Sequence, residues 1–438
     1  VVSAALPRGT LVVARGAGTA YGVTGMHAPP ARPALLRVRP CRAASAGAAP
    51  PPLTPLPAPQ PDDDLLDGDF WVSFEELARS LRWLELVHVG PDDWAREPAL
   101  RDRRPWRAAL ARRRWRPGFN DGGPPSAETT GINPQFHVQV CGARCHAVVA
   151  LAQRYRPREP PPRTVGFAVY ELGPAAPPAR PEPALHRLRA LEVAHESRSR
   201  EVATFFTLPA GRYLVVPHAR RSSNTSTSSS ASAAAFLLRI FTDHHAVVWE
   251  VNEDNVVLRD ISEDAMEDIQ LFPVEVRSTI NKILMKCDFE EIESSELPSL
   301  VRPVTSGRVS SGTAAALAAL ADPTCAGRVR RTALPRLLAR LAAWRAAFRG
   351  HSARCGPPGP APAHRLRPML RGAGLTASNK VLECVVARYS RNGRLTADAF
   401  NAALARLLLA HERYRALESK LKSNPLSLEE MILMTIYS

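Results

Sequence analysis

Hydrophobic and polar positions change rhythm twice along this chain. Near the start, residues 10–13, 20–24 and 35–38 are short apolar runs of strand type. Residues 74–81 switch to helical spacing, with Phe74, Leu77, Ala78 and Leu81 on one face. Ser73, three residues before Glu76, predicts a capping box at the start of that helix. From about 133 to 243 the strand pattern returns, at 136–141, 147–151, 165–170, 202–208, 213–216 and 236–241. Their β-branched and aromatic content, punctuated by Gly and Pro, predicts an antiparallel sandwich. Beyond an acidic stretch at 260–268 the periodicity is helical, at 274–286, 314–320, 334–348, 381–389, 397–411, 414–421 and 427–436. Pro-dense breaks are expected around Pro303 and at 357–368, so that helix–loop–helix units are the natural reading. The predicted fold class is multidomain α+β.

Composition refines this picture. A length of 438 residues suits two or three domains with their own cores. The 41 prolines call for long irregular connections, chiefly the Pro/Ala-rich stretch 41–61. Residues 222–235 are a Ser/Thr/Ala run with too little apolar surface to order itself. A net charge of +15 raises nucleic acid or an anionic membrane as a partner. Only five of the 57 basic residues are lysines, however, so the excess reads as arginine-biased composition and nucleic acid is disfavoured. The densest basic run is Arg104, Arg107, Arg112, Arg113, Arg114 and Arg116, with Trp106 and Trp115 interleaved. It reads either as a grip on single strands or as a solvated connection, and the second is preferred. Seven scattered cysteines fit a reducing compartment. With no signal-peptide pattern and no apolar run of membrane length, a soluble cytoplasmic protein is expected. The chain starts at Val1 without Met, and an incomplete sequence is the expectation.

Several motifs, in order, then carry a resemblance. The segment TAYGVTG at 19–25 resembles the calpain GHAYSVTG segment, and DGDFWVSF at 67–74 resembles DGEFWMSF near the end of the calpain protease core. Asn133-Pro134-Gln135-Phe136 follows a tryptophan-rich approach. GFAVYEL at 166–172 and LPAGRYLVVP at 208–217 resemble segments of the calpain β-sandwich, and the C-terminal 426–438 resembles the last helix of the family. The chain is thereby similar to a calpain large subunit over most of its length. The resemblance implies a papain-like core remnant at 1–90, a C2-like sandwich at 91–243, an acidic linker at 244–268 and a degenerate penta-EF-hand domain at 269–438. It implies an intracellular calcium-dependent cysteine endopeptidase.

The chemistry of that activity is not filled in. A papain-like protease needs a thiolate, an imidazole to take its proton and a residue to orient the ring. The resemblance begins too late in the core to include the nucleophile. The family histidine matches Thr19, whose hydroxyl cannot accept and return a proton near neutrality. The family asparagine falls where Val38-Arg39-Pro40-Cys41-Arg42 stands. His27 lies beyond the strand pattern beside Pro29, and Cys41 has no readable base, so no catalytic residue is assigned.

Calcium needs clustered oxygen ligands. Asp67 and Asp69 match positions the family uses in its core, and read either as half of a calcium site or as a solvated turn before Phe70. No complete EF-hand loop occurs after 261. Asp322 with Gly327 keeps the first ligand and the glycine, but Ala326 and Ala333 replace later ligands, and Ser390 to Arg394 and Glu418 to Lys422 place cations where ligands are needed. Cys287-Asp288-Phe289-Glu290-Glu291-Ile292 is a candidate remnant of the first loop, and the segment 139–144 is short and basic where many calpains carry acid. His137, Cys141, Cys145 and His146 are residue types for zinc, yet strand positions four apart are ~13 Å from each other. His244 and His245 read as a polar strand end. Leu428, Met431, Ile432 and Thr435 recur at helical spacing after a Ser427/Glu430 capping box. That face either packs within the chain or pairs with a calpain small subunit or a second copy. The expected function is that of a calpain-family protein without peptidase activity as it stands; the alternative is a non-catalytic module binding a partner subunit or phospholipid.

Overall fold

The computed structural model describes residues 1–16, 19–30, 32–41, 53–59, 68–88, 106–154, 163–173, 184–191, 195–220, 234–243, 246–251, 258–260, 273–305, 307–322, 326–352, 359–420 and 426–437. Within these, the three largest hydrophobic cores follow one another along the chain. The whole is a mixed α/β protein whose described strand pairings are antiparallel.

The first unit is a five-stranded sheet in the order β4-β3-β2-β1-β5, from β1 (Leu11–Gly16), β2 (Thr19–His27), β3 (Leu35–Cys41), β4 (Phe70–Ser73) and β5 (Trp83–Val87). Helix α1 (Phe74–Ser80) follows β4, and the Ser73 hydroxyl accepts the Glu76 amide at 3.1 Å, as the capping pattern predicts. The Glu76 carboxylate turns instead to the Thr54 amide, at 2.8 Å.

The second unit is one antiparallel network of β6 (Arg107–Trp115), β7 (Phe136–Gln153), β8 (Val165–Leu172), β9 (His195–Ser197), β10 (Glu201–Ala219), β11 (Ala234–Thr242) and β12 (Ala246–Glu250). The strands expected at 136–141 and 147–151 are one long β7, and those at 202–208 and 213–216 are one long β10. Each long strand changes the parity of its buried positions: Phe136, Val138 and Val140 face the core before the change, Cys145, Ala147, Val149 and Leu151 after it. In β10 the register shifts between Pro209 and Gly211, and the inward set passes from Val202, Phe206 and Leu208 to Tyr213 and Val215. A bulge moves every later side chain to the opposite face, so both halves can face one core.

Two corrections concern the ends of this unit. The arginine-rich run read as a solvated connection is strand β6, paired along its length with β11, and both Trp106 and Trp115 are fully buried. Trp115 stacks on Phe236 with ring centroids 4.1 Å apart. Residues 246–250, placed in the acidic linker, extend the sheet by pairing with β7. Residues 222–233, 244–245 and 261–268 lie outside the described residues.

The third unit is helical: α2 (Val274–Lys286), α3 (Leu297–Thr305), α4 (Ser311–Ala321), α5 (Leu334–Ser352), α6 (Leu366–Gly372), α7 (Asn379–Tyr389), α8 (Ala397–Lys420) and α9 (Leu428–Tyr437). The break expected around Pro303 lies within helix α3, whereas the described part of the break at 357–368 stays outside α-helix until Leu366. Pro368 stands in the first turn of α6, where the missing N–H costs little, while Pro303 lies inside α3 and gives up one helical hydrogen bond two residues before its end. Helices expected at 397–411 and 414–421 are the single α8. Short strands pair between the helices: Leu258–Asp260 with Leu375–Ala377, Glu291–Glu293 with Arg328–Arg330, and Ala361–Pro362 with Arg394–Leu395.

Polar bonds join the units. The Trp106 indole donates to the Thr10 hydroxyl at 3.0 Å, and Arg8 reaches Asp243 at 3.6 Å. At the other end, Arg113 forms a bidentate pair with Glu250, to which Asn379 also donates at 3.0 Å.

Candidate functional site

The positions that carry protease chemistry in the resemblance fall on the first sheet. Thr19 opens β2 opposite Gly16, and its neighbour Ala20 pairs with Cys41 at the end of β3. The sheet therefore brings Thr19, the position expected for the family imidazole, and Cys41 close together. Cys41 is exposed, with its Sγ beside Gly22. His27 is at the far end of β2, opposite Leu35, and His88 is spent on the Thr10 hydroxyl at 3.0 Å. Arg42 lies outside the described residues. The geometry thus places a thiol next to a strand start without bringing a described imidazole to it.

Asp69 is fully buried at its carboxylate. Arg39 Nε donates to it at 2.6 Å, Thr24 Oγ1 at 3.1 Å, and Arg37 Nε stands 3.7 Å away. These partners come from β2 and β3, so the carboxylate ties the turn before β4 to its neighbouring strands. Burying a charge is tolerable only with such pairing. A divalent ion here would have to displace two guanidinium groups. Asp67, its candidate co-ligand, lies outside the described residues.

The His/Cys set on β7 is spread along the strand. His137 is buried and stacks on Trp249 at 4.2 Å, and burial lowers its pKa. Cys141 is exposed, while burial pushes the Cys145 thiol up to about 12. His146 turns its Nδ1 to the Thr207 hydroxyl at 3.2 Å. Among the described residues no three His, Cys, Asp or Glu side chains are grouped as a metal site.

At Asp322 and Gly327, the two retained positions of the candidate calcium loop, one hydrogen bond is described, and residues 323–325 lie outside the described residues. The Asp322 carboxylate accepts the Gly327 amide at 2.8 Å, and Gly327 has φ +74°. The turn before Arg394 has φ +51° at Asn392 and +69° at Gly393. On α9, Ile432 and Ile436 are fully buried in the helical core, so part of its apolar face is used within the chain. The Ser427/Glu430 box forms in both directions, at 2.9 and 3.3 Å. No described helix is long and apolar enough to cross a membrane.

A feature the sequence reading missed is a cleft of about 710 Å³ on the outer side of β6, walled by arginines and by α7. Its signal was the period-two set Ala109, Ala111 and Trp115, with Arg112 and Arg114 at alternate positions toward the end of the strand.

Residues 111–241 match the family described as calpain large subunit, domain III. The calpain-1 catalytic subunit of Macaca fascicularis is 28% identical over 399 residues, covering 81% of this chain and 51% of that protein. Calpain-B of Drosophila melanogaster is 25% identical over 402 residues, covering 85% of this chain and 42% of that protein. The chain thus spans about half the length of these relatives. A solved homolog of programmed cell death 6 protein from Leishmania major Friedlin aligns to 37% of this chain and 93% of its own, at 14% identity and a TM-score of 0.26, too low to compare folds. With a domain III match spanning most of the sheet network and relatives aligned over more than four-fifths of its length, the chain is similar to calpain large subunits.

Proposed function

We propose that this chain is a calpain-type scaffold that binds partners and does not hydrolyse peptides as it stands. Its first unit is read as the end of a papain-like core, its sheet network as a C2-like sandwich and its helical unit as a degenerate EF-hand-type domain. Support for the last comes from the short strand pairs between helices and from the hydrogen bond between the Gly327 amide and the Asp322 carboxylate. One observation carries the inactivity: threonine, not histidine, stands at position 19 on a sheet otherwise formed as the motifs predict. Without an imidazole, a nucleophile supplied from anywhere else has no base to take its proton. The test is cleavage of fluorogenic casein, with calcium, by this chain and by any longer natural form that contains it. No turnover is expected, and calcium-dependent cleavage would remove the proposal.

Calcium dependence belongs to the same proposal, with Asp67 and Asp69 as its candidate residues. Binding there requires Asp69 to leave Arg39 and Arg37, so equilibrium calcium titration of wild type against Asp69→Asn reads whether it does. The partner reading rests on α9, where Met434 is 61% exposed beside the buried Ile432 and Ile436. Light scattering with and without a calpain small subunit tests it: a strict monomer, indifferent to the added subunit, would refute it. Phospholipid binding by the sheet unit and a cytoplasmic location are parts of the same reading.

A further inference from the structure

Two strands of the sheet network end beside one opening. Strand β6 pairs along one edge with β11, and β12 pairs along one edge with β7. Among the described residues, neither has a strand partner on its other edge. The bidentate pair of Arg113 with Glu250 reaches from β6 to β12, so both edges flank the same gap. In that gap lies a slot of about 160 Å³, lined by Ala109 and Ala111 of β6, Phe136, Ile240, and Val248 and Trp249 of β12. It is apolar except where Arg113 and Glu250 close one end. An apolar cavity of about this size holds one benzene ring. The slot exists because the inward positions of β6 carry alanine, packed against the sheet core by methyl groups alone.

Alternation fixes what an added strand would meet. Positions two apart share a face, so Ala109 and Ala111 face the slot while Leu110, Arg112 and Arg114 face outward. All three outward side chains are exposed, Leu110 at 62%. Among the described residues Arg112 has no ion-pair partner. A strand laid along β6 would lie ~4.8 Å away, its inward side chains over the slot and its outward ones beside Arg112 and Arg114. Opposite charges in such cross-strand pairs are favourable and like charges unfavourable. A second copy pairing through its own β6 would bring two arginine-rich strands together. A partner strand with acids on its outward face meets no such repulsion.

We propose that β6 accepts an extended acidic peptide of a partner protein as an added strand, with one phenylalanine-sized side chain seated in the slot. The inference depends neither on the proposed loss of peptidase activity nor on the exposed part of α9. Fluorescence polarisation of a labelled nine-residue peptide, titrated with the full chain, is the test. In this probe glutamates alternate with threonines, and a central phenylalanine replaces one threonine. Saturable binding with a Kd below about 1 mM is expected. Replacing the phenylalanine by alanine should weaken it about tenfold or more, the worth of burying one ring. Glutamine in place of glutamate should weaken it and flatten its dependence on salt. Methylating the backbone nitrogens of the probe should abolish it, because strand pairing needs them. On the protein, Ala111→Leu fills the slot and should cost at least about tenfold. Circular dichroism checks its fold, and the probe variants decide the matter without it. Met434→Ser, on α9, should leave binding unchanged, and bound probe should slow hydrogen exchange at 107–115. No saturation up to about 1 mM, or equal binding of the methylated or alanine probe, would overturn the proposal. So would dimerisation of the chain alone with slowed exchange at 107–115, since a second copy would then hold the edge.

Discussion

The join between the sheet network and the helical unit turns on two glycines, and adding one methyl group there should uncouple them. Gly118 and Gly393 have φ of +76° and +69°, and their backbones touch. A Cβ on Gly393 would stand 2.8 Å from Gly118 Cα and 3.1 Å from the Pro117 carbonyl oxygen. Two amides hold the same spot, His364 donating to Gly118 at 3.0 Å and Ala363 to Gly393 at 2.8 Å. Gly393→Ala therefore faces a left-handed backbone cost of roughly 1–2 kcal/mol. It also faces an overpacking cost of roughly 1–3 kcal/mol, since the clashing atoms are backbone and cannot rotate away. Together these reach about 2–5 kcal/mol, a loss of roughly 5–15 °C for a unit the size of the helical one. Differential scanning calorimetry reads the transition, and hydrogen exchange at 360–395 locates it. Gly307→Ala is the control, with open space around its Cβ and no positive φ, and should change stability by no more than about 0.5 kcal/mol. If Gly393→Ala melts like that control, with exchange unaltered at 360–395, the contact does not couple the two units.

Two further outcomes follow from buried titratable groups. His218 is 1% exposed, and burial lowers its pKa to about 4, with Arg220 lowering and Glu196 raising it. The unfolded chain then takes a proton that the native chain refuses, so stability present above pH ~6.5 is lost as pH falls toward 4, at on the order of 1 kcal/mol per pH unit. Urea unfolding should show a flatter acid limb for His218→Phe than for wild type, and parallel limbs would refute the assignment. Mass-spectrometric thiol labelling should modify the exposed Cys41 and Cys141 well before Cys145, whose thiolate population is negligible at pH 8 with a pKa near 12. Early modification of Cys145 would contradict its burial.

Much of this architecture was legible because its signals are local. The helix face of α2, the caps at Ser73 and Ser427 and the apolar runs of β1 to β3 need only neighbours within a few residues. What escaped depended on distant partners. Strand β6 looks like a charged loop until its inward Arg113 meets Glu250, 137 positions away, and its alanines meet β11. The bends of β7 and β10 were read as breaks because a bulge interrupts the alternation that marks a strand. The prolines of α3 and α6 were weighed by type, whereas Pro368 sits in a first turn that needs no N–H and Pro303 is carried inside α3 by a helix whose Leu297, Val301 and Val304 are buried. At Asp69 the sequence offered a carboxylate and the fold supplied two guanidiniums, which come from strands that pair with each other.

The central proposal is that likeness to calpains and peptidase chemistry part at position 19, where Thr19 stands at the position expected for the family histidine. Labelling with an E-64-type epoxide, alongside turnover of fluorogenic casein in calcium, addresses it directly for the chain and for any longer natural form. The account predicts no calcium-dependent cleavage and no adduct that blocks activity. Sustained cleavage, stopped by the epoxide through a single modified cysteine, would contradict it.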